Sequence, residues 1–349
     1  MRVVFRVDAS PEIGGGHVMR CLTLAQCFRD NGWNCAFVGA EATYDSVAAL
    51  PSSGVQFIAV EGKQASDPQS LIAAISGGCD LVVLDHYGLD QAYETACRDW
   101  AAKILVIDDL AARPHDCDFL LDQSPGGEDE DYLQYVPPGC KLLIGSKFAL
   151  LRKQFSNARD KAIERRKDTS CNRLVIAAGL TDPTNVTEAA LDAAKEVGNF
   201  EAVDVILGGA APGLQAVREK ISQMQGLVRL HVDVADIASL LAQADLSIGA
   251  AGVSCLERCC LGLPGIAVVT AENQRRNAQA LVRSKASIVV EDDVRESLSR
   301  TLAIELRRLM SSPEERNRIS KAAAELADGQ GAHRVFEAIQ GSRGILCQI

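Results

Sequence analysis

The chain has 349 residues, 47% of them hydrophobic and 23% charged, with a formal net charge of -10. That length accommodates two domains, and that composition excludes a disordered chain. The acidic balance argues against a nucleic-acid partner, which would select a basic face, but leaves room for a nucleotide held locally by backbone N–H groups.

No apolar run approaches the roughly 20 residues of a membrane helix, so no membrane partner is expected. The opening MRVVFRVDAS starts a strand at once and lacks the stretch of a signal peptide. The expectation is a cytoplasmic protein whose twelve cysteines are reduced. None of them forms a C-x-x-C pair, which speaks against a structural zinc site or a redox motif. Neither a metal nor a cofactor is implied, and the oligomeric state expected is a monomer or weak homo-oligomer.

A first strand at Val3–Val7 leads into Gly14, Gly15, Gly16 and His17, and then into a helix over Val18–Asn31. The apolar positions Val18, Cys21, Leu22, Ala25 and Phe28 of that helix recur at helical spacing, with Gly32 just beyond its end. Two readings of the glycine run stand side by side. One is a loop facing phosphate or sugar with His17 as a base, because glycines admit close backbone approach and helix starts favour anions. The other is a glycine turn with an incidental histidine. A dinucleotide fingerprint G-x-G-x-x-G fails at its third glycine, where Met19 stands.

Further strands are predicted at Cys35–Val38, Val55–Val60, Leu81–Asp85, Ile104–Ile107 and Phe119–Leu121. Their Val, Ile and Leu runs lack alternation, which indicates parallel strands buried on both faces. Asp85-His86-Tyr87-Gly88 closes one of them and Asp108-Asp109 another, at the sheet edge where sites form. Asp116-x-Asp118 superficially matches a metal-binding pair, a match common by chance.

A charged stretch, roughly residues 152–172, carries few apolar residues and reads as a linker. Strand–helix alternation then restarts at Leu174–Ala177, Val203–Leu207, Val228–His231, Leu246–Ile248, Ile266–Val269 and Ile288–Val290, and the pattern from Val294 to Gln340 is helical. The fold class is therefore α/β, with two doubly wound parallel-sheet domains: residues 1–155, residues 172–335, and a helix end and tail over 336–349. In such proteins ligands usually sit outside the carboxyl ends of the strands.

In the second half, Gly179-Leu180-Thr181-Asp182 follows a strand and opens a helix. Thr181 and Asp182 read either as helix caps or as part of an anion site. Gly249 to Ser254 leads into Glu257, one turn into a helix, which reads either as a solvated residue or as a carboxylate able to accept both hydroxyls of a ribose, while small residues such as Gly252 and Ser254 permit close approach of a pyrophosphate. Asn273 and Gln274 follow the next strand, Asn273 with a cap as its alternative reading.

Together the segments FRVDAS, GGGHVMRC, DHYGLD, IDDLAARPHDCDFLLDQ, FALLRKQF and IGAAGVSCLERCCLGLP with the following ENQ resemble the UDP-2,4-diacetamido-2,4,6-trideoxy-β-L-altropyranose hydrolase family of pseudaminic acid biosynthesis, in order from Phe5 to about Gln279. The resemblance implies a GT-B-like architecture, two Rossmann-like domains with a cleft between them, and a UDP-sugar as the small-molecule partner. It implies hydrolysis at the anomeric carbon with inversion. His17 matches the family's catalytic histidine, with Asp8 or Tyr87 expected to orient it or the water. Arg6, Gly14, Gly15, Gly16, His86, Thr181 and Asp182 are expected to line the substrate, together with Gly252, Ser254, Glu257, Asn273 and Gln274. Val234, in the loop 232–236, is expected to offer backbone groups to uracil. Two positions depart from the family pattern: Leu180 replaces a small residue, and Ser124 stands where asparagine is frequent. A glycosyltransferase, a UDP-sugar 2-epimerase and a non-catalytic nucleotide-sugar sensor are the alternatives.

Overall fold

The structure is a computed structural model that describes residues 1–10, 13–60, 66–168, 170–224 and 228–342. The chain divides into two compact units, one of residues 1–152 with 330–349 and the other of residues 153–329.

The first unit is built on a seven-stranded parallel sheet: β1 (Arg2–Val7), β2 (Asn34–Ala40), β3 (Gln56–Val60), β4 (Leu81–Asp85), β5 (Ile104–Ile107), β6 (Phe119–Asp122) and β7 (Lys141–Ile144), in spatial order β3-β2-β1-β4-β5-β6-β7. Its connecting helices are α1 (Gly16–Asp30), α2 (Ala42–Ser46), α3 (Ala49–Ser52), α4 (Pro68–Ala74) and α5 (Gln91–Ala96). The β4 sequence LVVLD is buried at every position. Alternate side chains of the central strands feed two separate cores. Val3, Phe5, Val7, Leu81 and Val83 pack with α1, whereas Val4, Val82 and Leu84 pack with Leu71 of α4 and Tyr93 of α5.

The second unit begins with α6 (Lys153–Arg165) and continues as a six-stranded parallel sheet of β8 (Arg173–Ala177), β9 (Ala202–Leu207), β10 (Val228–Val232), β11 (Leu246–Ala250), β12 (Gly265–Val268) and β13 (Ile288–Val290), ordered β10-β9-β8-β11-β12-β13. The helices between and after the strands are α7 (Val186–Val197), α8 (Leu214–Ser222), α9 (Ile237–Gln243), α10 (Cys255–Cys260), α11 (Arg275–Ser284), α12 (Arg295–Ser311) and α13 (Pro313–Leu326). The chain then returns to the first unit as α14 (Gly331–Gly341), where Phe336 packs against Phe28 and Trp33.

Two expectations are corrected and one strand is added. The stretch 152–172 is not an open linker: most of it is α6, anchored by the buried side chains of Phe155 and Ala162. Arg165 Nη1 reaches Asp245 at 2.6 Å and Arg166 Nη2 donates to the Leu241 carbonyl at 2.9 Å. A helix needs few apolar residues when long cationic side chains cover the neighbouring surface. The short edge strand β7 was not foreseen. Residues 330–335, assigned from the sequence to the second domain, pack with the first. The end of the tail, 343–349, lies outside the described residues. No helix among those described is long and apolar enough to cross a membrane.

Candidate functional site

Each sheet reverses its winding once, between β1 and β4 in the first unit and between β8 and β11 in the second. At such a point successive loops leave toward opposite faces, and a crevice opens at the carboxyl ends of the strands.

In the first unit His17 lies in the first turn of α1, directly after β1. Gly14 has φ +78°, a conformation glycine adopts without strain, and a side chain added at Gly16 would meet nothing within 4 Å. Gly15 flanks the helix without a side-chain cap, and no acidic residue stands in the first turn. Among the described residues the leading N–H groups of α1 therefore have no side-chain cap, and the helix dipole favours an anion there.

The carboxylate that meets His17 is Asp85, with Oδ1 2.6 Å from Nδ1. Arg20, one turn along α1, grips the same carboxylate: Nε donates to Oδ2 at 2.7 Å and Nη2 to Oδ1 at 2.6 Å. Cys21 Sγ adds a contact to Oδ2 at 3.4 Å. Burial by itself would raise the Asp85 pKa. The charge and hydrogen bonds of Arg20, with the bond to His17, overcome it and hold the carboxyl well below the usual range.

Arg20 Nη1 also reaches Asp109 Oδ2 at 3.3 Å, and Asp109 Oδ1 accepts from the Tyr87 hydroxyl at 2.8 Å. Burial and the Asp109 carboxylate both raise the Tyr87 pKa, so the phenol remains a donor. The Tyr87 ring stands edge-on to His17, with centroids 4.9 Å apart at 85°.

Asp8 does not orient His17. Its carboxylate takes two bonds from Arg6, at 2.6 and 2.9 Å, one from the Ala40 N–H at 2.7 Å, and lies 3.3 Å from His86 Nε2. Burial opposes ionisation of Asp8, but His86 and Arg6 keep it charged. The reason is strand alternation: Asp85 is in register with Val7, on the face that α1 covers, whereas Arg6 shares the opposite face with Leu84. The structure therefore brings His17, Asp85, Arg20, Tyr87 and Asp109 together, and holds Arg6, Asp8 and His86 as a separate chain. Asp85 and Asp109 belong to the strand-end segments noted in the sequence, which assigns them no role; Arg20 is the member that sequence reasoning passes over. Arg20 carried a signal, standing three residues after His17 on one helix face. Asp116 and Asp118 are both paired with Arg98, at 2.7 Å each.

In the second unit the loops carrying Thr181, Val234, Gly252, Asn273 and Gln274 all lie at the carboxyl edge of the sheet. The N-cap position of α7 is Asn185, and Asp182, three residues before it, accepts from Val186 N at 3.0 Å and Thr187 N at 2.8 Å, while Thr181 is exposed. The capping reading of Asp182 thus accounts for its carboxylate, and Ser254 and half-buried Glu257 occupy the start of α10. Gln274 lies beside Gly252, its Nε2 3.5 Å from where a Cβ would be, and its Oε1 accepts from Thr270 N and Oγ1 at 3.1 Å each. Asn273 is exposed and precedes the residue that flanks α11, so it is not that helix's cap. Val234 is half-buried after Asp233, whose Oδ1 accepts from Gly209 N at 2.8 Å.

Comparison with known proteins gives the following. Residues 186–335 match the model of the glycosyltransferase family 28 C-terminal domain. The chain is 26% identical over 289 residues to the UDP-2,4-diacetamido-2,4,6-trideoxy-β-L-altropyranose hydrolase of Campylobacter jejuni, covering 81% of this chain and 97% of that one. It is 25% identical to the spore coat polysaccharide biosynthesis protein SpsG of Bacillus subtilis, covering 97% of this chain and 98% of the other. Among solved structures, MurG of Acinetobacter baumannii superposes with a TM-score of 0.66 at 14% identity, covering 97% of this chain and 99% of that one. The fold is GT-B-like, built of two Rossmann-like units.

Proposed function

We propose that this protein is a hydrolase that cleaves the anomeric C–O bond of a UDP-2,4-diacetamido-2,4,6-trideoxy sugar, releasing UDP and the free sugar with inversion. The observation that carries the reading is the 2.6 Å contact of His17 Nδ1 with the buried Asp85 carboxylate. With Nδ1 so engaged, Nε2 is the nitrogen available to take a proton.

The steps follow from that. A water oxygen attacks the anomeric carbon from the side opposite UDP, and His17 Nε2 removes its proton. The bond from the anomeric carbon to the UDP oxygen breaks, and UDP leaves with the electron pair. UDP is already a good leaving group, and backbone N–H groups at strand–helix junctions stabilise its charge further. A positioned base of this kind contributes on the order of 100- to 10,000-fold. In this reading the second unit holds the nucleotide: Gly252 and Ser254 face the pyrophosphate, Glu257 the ribose and the Val234 loop the uracil. The similarity to the Campylobacter jejuni hydrolase supports the reaction type and a UDP-sugar as ligand, and the family 28 match over 186–335 supports glycosyl-donor binding by the second unit.

That same family match favours one other reading, transfer of the sugar to an acceptor alcohol. The deciding experiment is incubation with UDP-2,4-diacetamido-2,4,6-trideoxy-β-L-altropyranose and no acceptor, followed by NMR of the products. Stoichiometric UDP and free sugar are expected. Turnover only after an acceptor is added means transferase, a sugar inverted at C2 means epimerase, and tight binding without product means a sensor.

A further inference from the structure

Arg20 touches neither the nucleophile nor the leaving group in the reading above, yet it binds two carboxylates of this site, Asp85 and Asp109. Its guanidinium fork closes on both oxygens of Asp85, and its third nitrogen reaches Asp109. The side chains of Arg20 and Asp85 are 9% and 0% exposed, so water does little to screen the pair. Nη2 also lies 3.0 Å from His17 Nδ1. Because a guanidinium only donates, that approach is not a hydrogen bond to a protonated Nδ1. With Asp85 ionised, Nδ1 directs its proton at Oδ1, and the approach is then that of two donors converging on one oxygen at 2.6 Å each.

We infer that Arg20 is the positioning residue that sets the tautomer of His17, by gripping both Asp85 oxygens from one helical turn away. The inference deepens the general-base reading and rests on it for its catalytic meaning. A carboxylate with no solvent exposure retains its charge only when it is paired and hydrogen-bonded. Without the Arg20 cation, Asp85 takes up a proton and becomes a hydroxyl donor. A donor facing Nδ1 makes that nitrogen the acceptor, and the imidazole proton moves to Nε2. The nitrogen that should receive the water proton is then already protonated. Arg20 thus acts on the reaction through two intermediaries, a carboxylate and an imidazole. The i, i+3 spacing of His17 and Arg20 places both on the face of α1 that meets Asp85.

The test reads the tautomer directly, in the free full-length protein, by long-range proton–nitrogen NMR of the imidazole rings. The His17 signal is identified by its absence from His17→Asn. The wild type is expected in the Nδ1–H form, Arg20→Met and Arg20→Gln in the Nε2–H form, and Arg20→Lys, which keeps a cation, in the Nδ1–H form again. Turnover of the UDP-diacetamido sugar should fall by about 100-fold or more in Arg20→Met, in kcat rather than KM, with partial recovery in Arg20→Lys. A wild-type imidazole protonated at Nε2 overturns the inference. So does a folded Arg20→Met or Arg20→Gln that retains Nδ1–H. Should neither neutral variant fold, Arg20→Lys decides, and an Nε2–H imidazole there overturns it. The NMR readout needs no substrate, so a protein that proves to be a transferase leaves this test intact, while a tautomer result against Arg20 leaves the product assay intact.

Discussion

Asp85 and His17 are separated by 68 positions in the chain and by 2.6 Å in space. The contact is made by the sheet: β4 runs beside β1 with Asp85 opposite Val7, so the last residue of one strand stands at the point where the other gives way to the loop before α1.

Replacing His17 by asparagine should leave UDP binding intact and lower turnover by about 100- to 10,000-fold, the usual worth of a general base. Calorimetric titration with UDP and steady-state kinetics separate the two effects. Unchanged turnover would remove His17 from the mechanism.

Asp85→Asn is the harsher change for the fold. It keeps the shape and leaves the Arg20 guanidinium buried against an uncharged partner, at a cost of about 3 kcal/mol. Urea unfolding of the wild type and the variant measures it. A variant as stable as the wild type would mean that the pair is far less tightly held than its distances imply.

The strands were legible because runs such as LVVLD and ILVI are buried on both faces, and a parallel sheet under helices is the structure that buries them so. His17 was legible from its own neighbours, three glycines at a strand–helix junction. Its partner was not. The segment Asp85-His86-Tyr87 offers three polar side chains in succession, and only the strand order, together with the alternation of side chains across the sheet, decides which one faces α1. The helix α6 was missed for a different reason: its apolar content is confined to a few side chains such as Phe155 and Ala162, too few for a periodic signal amid charged residues.

Asp182 tests capping against ligand binding in the second unit. Both its oxygens accept N–H groups from the first turn of α7. Asp182→Ala should lower stability by about 1 kcal/mol, with Asp182→Asn recovering part of it and UDP affinity changing little in either. A loss of UDP affinity with unchanged stability would restore the ligand reading.

Asp122 should make stability depend on pH. Burial pushes its carboxyl up from 3.8 to about 6, against the hydrogen bonds from Ser124 and Tyr132. Because the folded value is the higher one, the stabilisation is fully present below about pH 4 and is lost as pH rises through 6. The difference is about 3 kcal/mol. Denaturant unfolding of the wild type and Asp122→Asn at pH 4 and pH 7 should show the variant gaining by about that amount at the higher pH. Parallel pH dependences would refute it.

Phe336 holds α14 to the first unit, with ring centroids 5.6 Å from Phe28 and 5.9 Å from Trp33. At 4% exposure its truncation to alanine should cost about 3 kcal/mol. Thermal unfolding should show that loss in the first unit's transition and leave the second unit's transition in place.

The return of α14 to the first unit also orders events on the ribosome. A domain made of consecutive residues can finish folding as soon as it has emerged, and folding generally proceeds in that order during synthesis. Here the sheet of the first unit is complete by Ile144, but the helix that covers Phe28 and Trp33 is not made until the whole of 153–329 has been translated. The nascent first unit therefore waits with an aromatic face uncovered while the second, which is contiguous, is free to close first. The domain translated earlier is the one completed last.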